Sequence, residues 1–290
     1  MSDNNFYRAI EDKYRGSREL IKSRLEVYLP YVEIIKSFDS EPKAIDLGCG
    51  RGEWLELLSE NSYIGQGVDL DTGMLVACQN RGFDVAQKDA IEALKELKDE
   101  SVNIVSGFHI VEHLPFEVLQ NLLQESLRVL KPGGLLIMET PNPENIKVAT
   151  ANFYLDPTHI RPIPSQLLSF LTEYYGFQRT KVLRLQESQE LHSIESITLF
   201  QVISGVSPDY AVVAQKQADH EILSSFNELF SREYGLSLEV LANKFEDRLL
   251  KIEASAEQAQ AQANEAVLFQ QRIQNSKIYK TFPFLFKQSR

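Results

Sequence analysis

The stretch AIDLGCGRGEW, residues 44–54, constrains the fold of this chain more than any other. Ala44 to Leu47 has the composition of a buried strand, runs into Gly48-Cys49-Gly50-Arg51-Gly52, and leads to a helix-like segment from Glu53 to Leu58. Glycines at alternate positions let the backbone turn sharply and come close to a ligand. A strand, a glycine loop and a helix in that order belong in an open α/β sheet, whose ligands bind beyond the carboxyl ends of the strands. Neighbouring segments agree. Short apolar runs at Tyr63 to Asp69, Val102 to Val105 and Leu135 to Glu139 alternate with helical patterns such as Phe116 to Leu130, apolar at Val118, Leu119, Leu122, Leu123, Leu127 and Leu130. That alternation predicts a parallel sheet covered by helices. Thr180 to Leu185 and Ser196 to Ile203 are expected as two further strands, joined by a loop and pairing antiparallel at the sheet edge.

The flanks differ in texture. Residues 1–41 read as a charged helical segment, with Leu20, Ile21, Leu25, Leu29 and Val32 near helical spacing and Pro30 expected to interrupt it. The α/β pattern occupies 42–207. From 208 to 276 the chain is rich in Ala, Gln, Glu and Leu, and Leu238, Leu241, Phe245, Leu249 and Ile252 have the spacing of a coiled-coil seam. Residues 277–290 form a tail with Lys277, Lys280, Lys287, Arg290 and the aromatics Tyr279, Phe282, Phe284 and Phe286. With 290 residues, one or two domains are expected. The net charge of -11 argues against a nucleic-acid surface. Cys49 and Cys78 are too few for a disulfide framework or a zinc ribbon, and no metal is expected. No secretory leader and no apolar run long enough to span a membrane are read, so a cytoplasmic location is expected.

Acidic residues accompany the glycine loop. Asp69 ends the second strand, where a carboxylate can accept two hydrogen bonds from a ribose diol. Asp89 closes what would be the third strand, where an acid can meet an adenine amino group. The loop reads G-x-G-x-G rather than the dinucleotide spelling G-x-G-x-x-G, Asp46 precedes it, and Glu53 at the helix start would repel a pyrophosphate. A ligand with a cationic centre and no phosphate fits better.

These motifs, Asp46-Leu47-Gly48-Cys49-Gly50-Arg51-Gly52, then Gly67-Val68-Asp69, then Asp89, resemble the class I S-adenosylmethionine-dependent methyltransferases. The resemblance covers about Pro42 to Val206. It implies an α/β, Rossmann-like fold: a seven-stranded, mostly parallel sheet with an antiparallel edge hairpin, here followed by the α-helical coiled coil. It implies S-adenosyl-L-methionine as cofactor, held by Asp46, Gly48, Gly50, Gly52, Asp69, Asp89 and Phe108.

The stretch from Phe108 to His113 also spells H-x-x-E-H, an inverted zinc-peptidase motif. That motif needs both histidines on one helical face, but His109 follows a strand pattern at once and Pro115 starts the next helix. The loop after the fourth strand is the better reading, with Glu112 and His113 positional and His109 facing the cofactor cleft. Beyond the fifth strand, ETPNPEN and NFYLDPTHIRP form a long proline-stiffened loop on the same side of the sheet. His159 is the first candidate base, His109 the second, with Tyr154, Asp156 and Arg161 as acceptor contacts. Arg15 and Arg18 are expected to be solvated rather than to reach the donor's carboxylate.

The two loop patterns and the opening FYRAIEDKYRGSRELIKSRL resemble a narrower group, the methyltransferase domain of bacterial O-antigen chain terminators of the polymannose type. That resemblance implies methylation of the terminal sugar of a growing, lipid-linked glycan. No kinase motifs are present, so a sugar hydroxyl rather than an added phosphate is the expected acceptor. It further implies a homo-oligomer through the coiled coil, and a tail docking on a glycosyltransferase or polymerase, or on the anionic inner face of the cell membrane. Two alternatives stand: a small-molecule O-methyltransferase acting on a quinone precursor, and a non-enzymatic scaffold.

Overall fold

The computed structural model describes residues 16–281. The expected roles of Arg15 and of the tail positions Phe282, Phe284, Phe286, Lys287 and Arg290 lie outside the described residues. The strands are β1 (Lys43–Leu47), β2 (Ile64–Asp69), β3 (Asp84–Gln87), β4 (Val102–Phe108), β5 (Leu130–Pro141), β6 (Arg179–Leu185) and β7 (Asp209–Gln215). The longer helices are α1 (Arg18–Leu25), α2 (Leu29–Lys36), α3 (Glu53–Glu60), α4 (Thr72–Gln79), α5 (Ala90–Glu96), α6 (Phe116–Val129), α7 (Ser165–Tyr174), α8 (Leu199–Ser204) and α9 (Leu238–Asn275).

The strands form one seven-stranded sheet in the order β3-β2-β1-β4-β5-β7-β6. Pairings among β1 to β5 are parallel, and β7 runs antiparallel to both β5 and β6. Strand order reverses between β1 and β4, so a crevice opens beyond their carboxyl ends. Side-chain alternation along β5 feeds a core on each face. Leu135 and Ile137 pack with Tyr28, Tyr31, Trp54 and Leu58, whereas Leu136 and Met138 pack with Leu119, Leu122 and Leu123 of α6.

The N-terminal helices belong to that core. Pro30 sits in the first turn of α2, where its missing N–H is harmless, and a 3-10 turn at Glu26–Tyr28 breaks the helix ahead of it. Tyr28, Tyr31, Val32 and Ile35 are fully buried. An aliphatic side chain so buried contributes about 1.5–3 kcal/mol. Lys22 binds Glu56 and Glu60 of α3 at 2.6 and 2.5 Å, and Arg18 pairs with Glu56, so α1 lies beside the helix that follows the glycine loop.

The edge departs from expectation. Arg179–Leu185 is a strand, but Ser196 to Ile203 is not its partner. Thr198 and Gln201 form a capping box that starts α8 in that segment. The partner is Asp209–Gln215, whose run DYAVVAQ is apolar on both faces and buried between β5 and β6. The expected break at 207 therefore falls just before a strand of the sheet, and helix resumes only from His220.

The 38-residue α9 is about 57 Å long at 1.5 Å per residue. Its first turns pack on the body: Leu238, Leu241, Ala242 and Phe245 join Leu191, Ile197, Val202, Val206 and Leu236. Lys244 donates to the Leu191 carbonyl at 2.9 Å and Arg248 to that of Ile197 at 2.8 Å. Three of the five expected seam residues, Leu238, Leu241 and Phe245, are thus used within the chain, whereas Leu249 and Ile252 are exposed. Among the described residues no helix is long and apolar enough to cross a membrane.

Candidate active site

The glycine loop folds as its spelling requires. Gly48, Gly50 and Gly52 have φ of 68°, 50° and 76°, the left-handed region that side chains disfavour. At Gly52 the space is also closed, since a Cβ would lie 2.9 Å from the Cys78 sulfur and 3.2 Å from the Phe83 ring. Asp46, buried at the end of β1, accepts a hydrogen bond from Ser106 Oγ at 2.8 Å. Glu53, expected at the helix start, is buried and paired with Arg51 at 2.9 Å and Arg18 at 3.6 Å. Arg18 is therefore held by protein partners, donating also to the Arg51 carbonyl at 2.6 Å, rather than left to solvent.

Asp69 ties the loop to β2. Its Oδ2 accepts from the Gly50 N–H at 2.9 Å and its Oδ1 from the Asp71 N–H at 2.8 Å. Each carboxylate oxygen has room for a second donor, so both remain able to receive a diol. Asp89 has a local duty as well: its Oδ1 caps α5, accepting from Ile91 and Glu92 N–H at 2.8 and 3.2 Å.

A cavity of about 480 Å³ opens beside the loop. Asp46, Gly48, Phe108, His109, Asp156 and His159 line it, as does Trp54 from α3 and Arg24 from α1. Gly50, Gly52, Asp69 and Asp89 lie outside its walls. Phe108 is buried, with ring centroids 5.6 Å from both Tyr28 and Trp54.

His109 takes φ 58°, rare for a residue with a Cβ. That conformation sets its ring between two carboxylates, Nδ1 3.3 Å from Glu112 Oε1 and Nε2 3.7 Å from Glu139 Oε1. Burial disfavours the charged ring, but Glu112 and Glu139 outweigh it and hold His109 well above the usual imidazole range. That shift favours the protonated imidazole, which faces both carboxylates as a hydrogen-bonding and electrostatic group. Glu139 is shared further, with Tyr28 Oη donating to Oε2 and Gln186 Nε2 to Oε1 at 2.9 Å. Asp209, at the start of β7, also faces this group, and burial together with the Glu139 charge pushes its carboxyl up to about 6.

His159 comes from the proline-stiffened loop, which is stitched to the turn after β4 by the Ile160 N–H donating to the Glu112 carbonyl at 2.8 Å. A carbonyl can only accept, so the 2.6 Å contact with Phe153 O makes Nδ1 of His159 the donor, and in the neutral ring the lone pair is then on Nε2. Asp156 Oδ1 receives the Thr158 hydroxyl at 2.6 Å, and Thr158 Oγ1 lies 3.0 Å from Nδ1 of His113.

Two expected acceptor contacts are not in the cavity. Tyr154 is 65% exposed, its ring edge against Phe153, and Arg161 stacks its guanidinium 4.6 Å over the Phe116 ring. The single 3-10 turn Val111–His113 is too short for a peptidase helix, so the H-x-x-E-H letters do not place both histidines on one helical face. Sequence reasoning missed Tyr28, Trp54, Gln186 and Asp209 as site residues. Glu139 was visible as a lone carboxylate closing the apolar run LLIME, and no role was drawn from it.

A family model described as a methyltransferase domain matches residues 45–138. Among solved structures, an S-adenosylmethionine-dependent methyltransferase from Archaeoglobus fulgidus is 36% identical, with a TM-score of 0.64; the alignment covers 73% of this chain and 100% of that one. Among curated proteins, a probable S-adenosylmethionine-dependent methyltransferase of Mycolicibacterium smegmatis is 29% identical over 134 residues, 46% of this chain and 51% of the relative. A ubiquinone biosynthesis O-methyltransferase of Methylococcus capsulatus is 30% identical over 105 residues, 34% of this chain and 44% of the relative. The chain thus spans about half the length of these curated relatives.

Proposed function

The chain belongs to the S-adenosylmethionine-dependent methyltransferases, and from that premise we propose that it methylates a hydroxyl on the terminal sugar of a growing bacterial surface polysaccharide. Bound, S-adenosylmethionine supplies a methyl group on a positively charged sulfur. The residues present fit it: the left-handed glycine loop gives a cradle without side chains, and Asp69 keeps an acceptor site on each oxygen for the ribose. Asp46, Gly48, Gly50 and Gly52 would line the amino-acid end, Asp89 would meet the adenine through its second oxygen, and Phe108 would close the floor.

The observation that carries the acceptor reading is the character of the cavity walls. Asp46, Glu53, Glu139, Asp156 and Asp209 place carboxylates there against Arg24, a surface that receives many hydroxyl donors and repels phosphate or carboxylate acceptors. Nε2 of His159 offers a lone pair to an acceptor hydroxyl and positions it. The exposed half of α9 supports pairing with a second copy as a coiled coil, and a cytoplasmic protein touching the inner membrane face through its basic, aromatic tail completes the proposal. Incubating the chain with radiolabelled donor and lipid-linked glycan should label the glycan terminus. Label found only in phenolic or quinone-type acceptors would overturn it in favour of a small-molecule O-methyltransferase, a reading favoured by the similarity to the ubiquinone biosynthesis enzyme and by the apolar walls at Leu25, Trp54 and Leu155. Absence of donor binding by calorimetry would leave a scaffold.

A further inference from the structure

Glu112 has a feature that methyl transfer does not explain. Its side chain is fully buried; Thr140 Oγ1 donates to Oε2 at 2.9 Å, but Oε1 accepts no hydrogen bond. A buried carboxylate oxygen without a donor is unfavourable, and native proteins retain such groups for a reason. His109 Nδ1, at 3.3 Å, is within ion-pair range of Oε1 yet is not aligned as a donor to it. Nε2 of His159 lies 4.0 Å from the same oxygen. With His113, these residues bring three ligand-type atoms within 4.8 Å of one another.

We propose that Glu112, His113 and His159 form a binding site for a first-row divalent transition-metal ion, with open positions facing the cavity. The donor set, two imidazoles and one carboxylate, is one that such ions take with positions left open. What distinguishes it from a chance cluster is that each ligand is oriented from behind. Nδ1 of His159 is committed to the Phe153 carbonyl. Thr158 gives its hydroxyl hydrogen to Asp156, so its oxygen accepts from Nδ1 of His113. Thr140 fixes the far oxygen of Glu112. Both histidines thus present Nε2, and their other nitrogen is tied to an oxygen, the arrangement that supports imidazole ligands to metals. His109 is not part of the set; it keeps Glu139 and Asp209 beside it when the ion takes Glu112 Oε1. The H-x-x-E-H letters therefore contribute their last two residues to a metal site, completed by a histidine forty-six positions later in the chain.

Ion binding stands independently of the acceptor. Its use rests on the methyl-transfer reading: an ion here would hold the acceptor hydroxyl and make it more acidic, with His159 a ligand and the Asp156 carboxylate, whose Oδ2 lies 3.8 Å from His159 Nε2, taking the proton as the hydroxyl oxygen gains the methyl group. The test is calorimetric titration of the full chain with zinc chloride and with manganese chloride, beside titration with S-adenosylmethionine. One of the two ions should bind with one ion per chain. Glu112→Gln, His113→Ala and His159→Ala should each weaken it by about tenfold or more, and Thr158→Val by about tenfold. His192→Ala, whose imidazole pairs with Glu187 outside the cavity, should bind as the parent does. Donor affinity should be unchanged in every variant, which also reports that the fold is intact. Intact donor binding with no ion uptake, or ion uptake indifferent to His113 and His159, overturns the metal site and leaves the transferase reading standing. Loss of donor binding in the parent chain would overturn the transferase reading instead.

Discussion

Asp209→Asn should make this protein more stable, and the gain should depend on pH in a defined way. The Asp209 carboxyl rises from its ordinary 3.8 to about 6, because burial and the neighbouring Glu139 charge penalise its ionised form. A rise of about two units corresponds to about 3 kcal/mol of destabilisation once the group is ionised in both states. The folded state holds the proton more firmly than the unfolded chain. Below pH 3.8 both forms are protonated and no penalty exists; it grows as pH rises from there to about 6 and is complete above that. Asparagine has the same shape and no charge, so it removes the penalty wherever the parent suffers it. Urea unfolding should show Asp209→Asn more stable by about 3 kcal/mol at pH 7.5 and by only about 1 kcal/mol at pH 4.5. The same substitution should lower the His109 pKa, since the Asp209 charge helps to keep that imidazole protonated; the ring proton shifts report it by NMR. A variant no more stable than the parent at pH 7.5, or a gain that does not shrink toward pH 4.5, would refute the argument that Asp209 is held ionised against its surroundings.

Other perturbations separate the roles assigned here. Asp69→Ala should lower S-adenosylmethionine affinity by about tenfold to a hundredfold, as two charge-assisted hydrogen bonds are lost, and calorimetry would read it. Gly52→Ala should weaken donor binding and lower the melting temperature together, because both the φ of 76° and the Cys78 sulfur at 2.9 Å oppose a Cβ. Leu241→Ala should destabilise the packing of α9 on the body by about 2–4 kcal/mol, seen as early proteolytic release of the helix. Tyr154→Ala and Arg161→Ala should leave transfer kinetics near those of the parent, since neither side chain lines the cavity.

The glycine loop and its aspartate were legible because their constraints are local. Glycines forced to positive φ and an aspartate at a strand end follow from a few adjacent residues, and Gly48 to Gly52 and Asp69 fall where that logic puts them. The loop beyond β5 was only partly so. His159 and Asp156 reach the cavity, but Tyr154 and Arg161, two and five residues from Asp156, point elsewhere, because a loop's side-chain directions depend on tertiary contacts such as the Phe116 ring. The misplaced edge strand hid Asp209 altogether. A β-branched run at 196–203 was outweighed by the capping chemistry of Thr198 and Gln201. Trp54 stands just past the glycine loop and Tyr28 in the N-terminal segment, and nothing local marks a core aromatic as one that also lines a cavity, as Trp54 does, or holds a carboxylate of its wall, as Tyr28 does.

The Tyr28 hydroxyl rests on the carboxylate that Gln186 and His109 also address. The amino-terminal segment is therefore tied to the wall of the cavity through Glu139. One carboxylate thus joins residues far apart in the chain, so a change made at Tyr28 is felt by Gln186 and His109, which line the cavity.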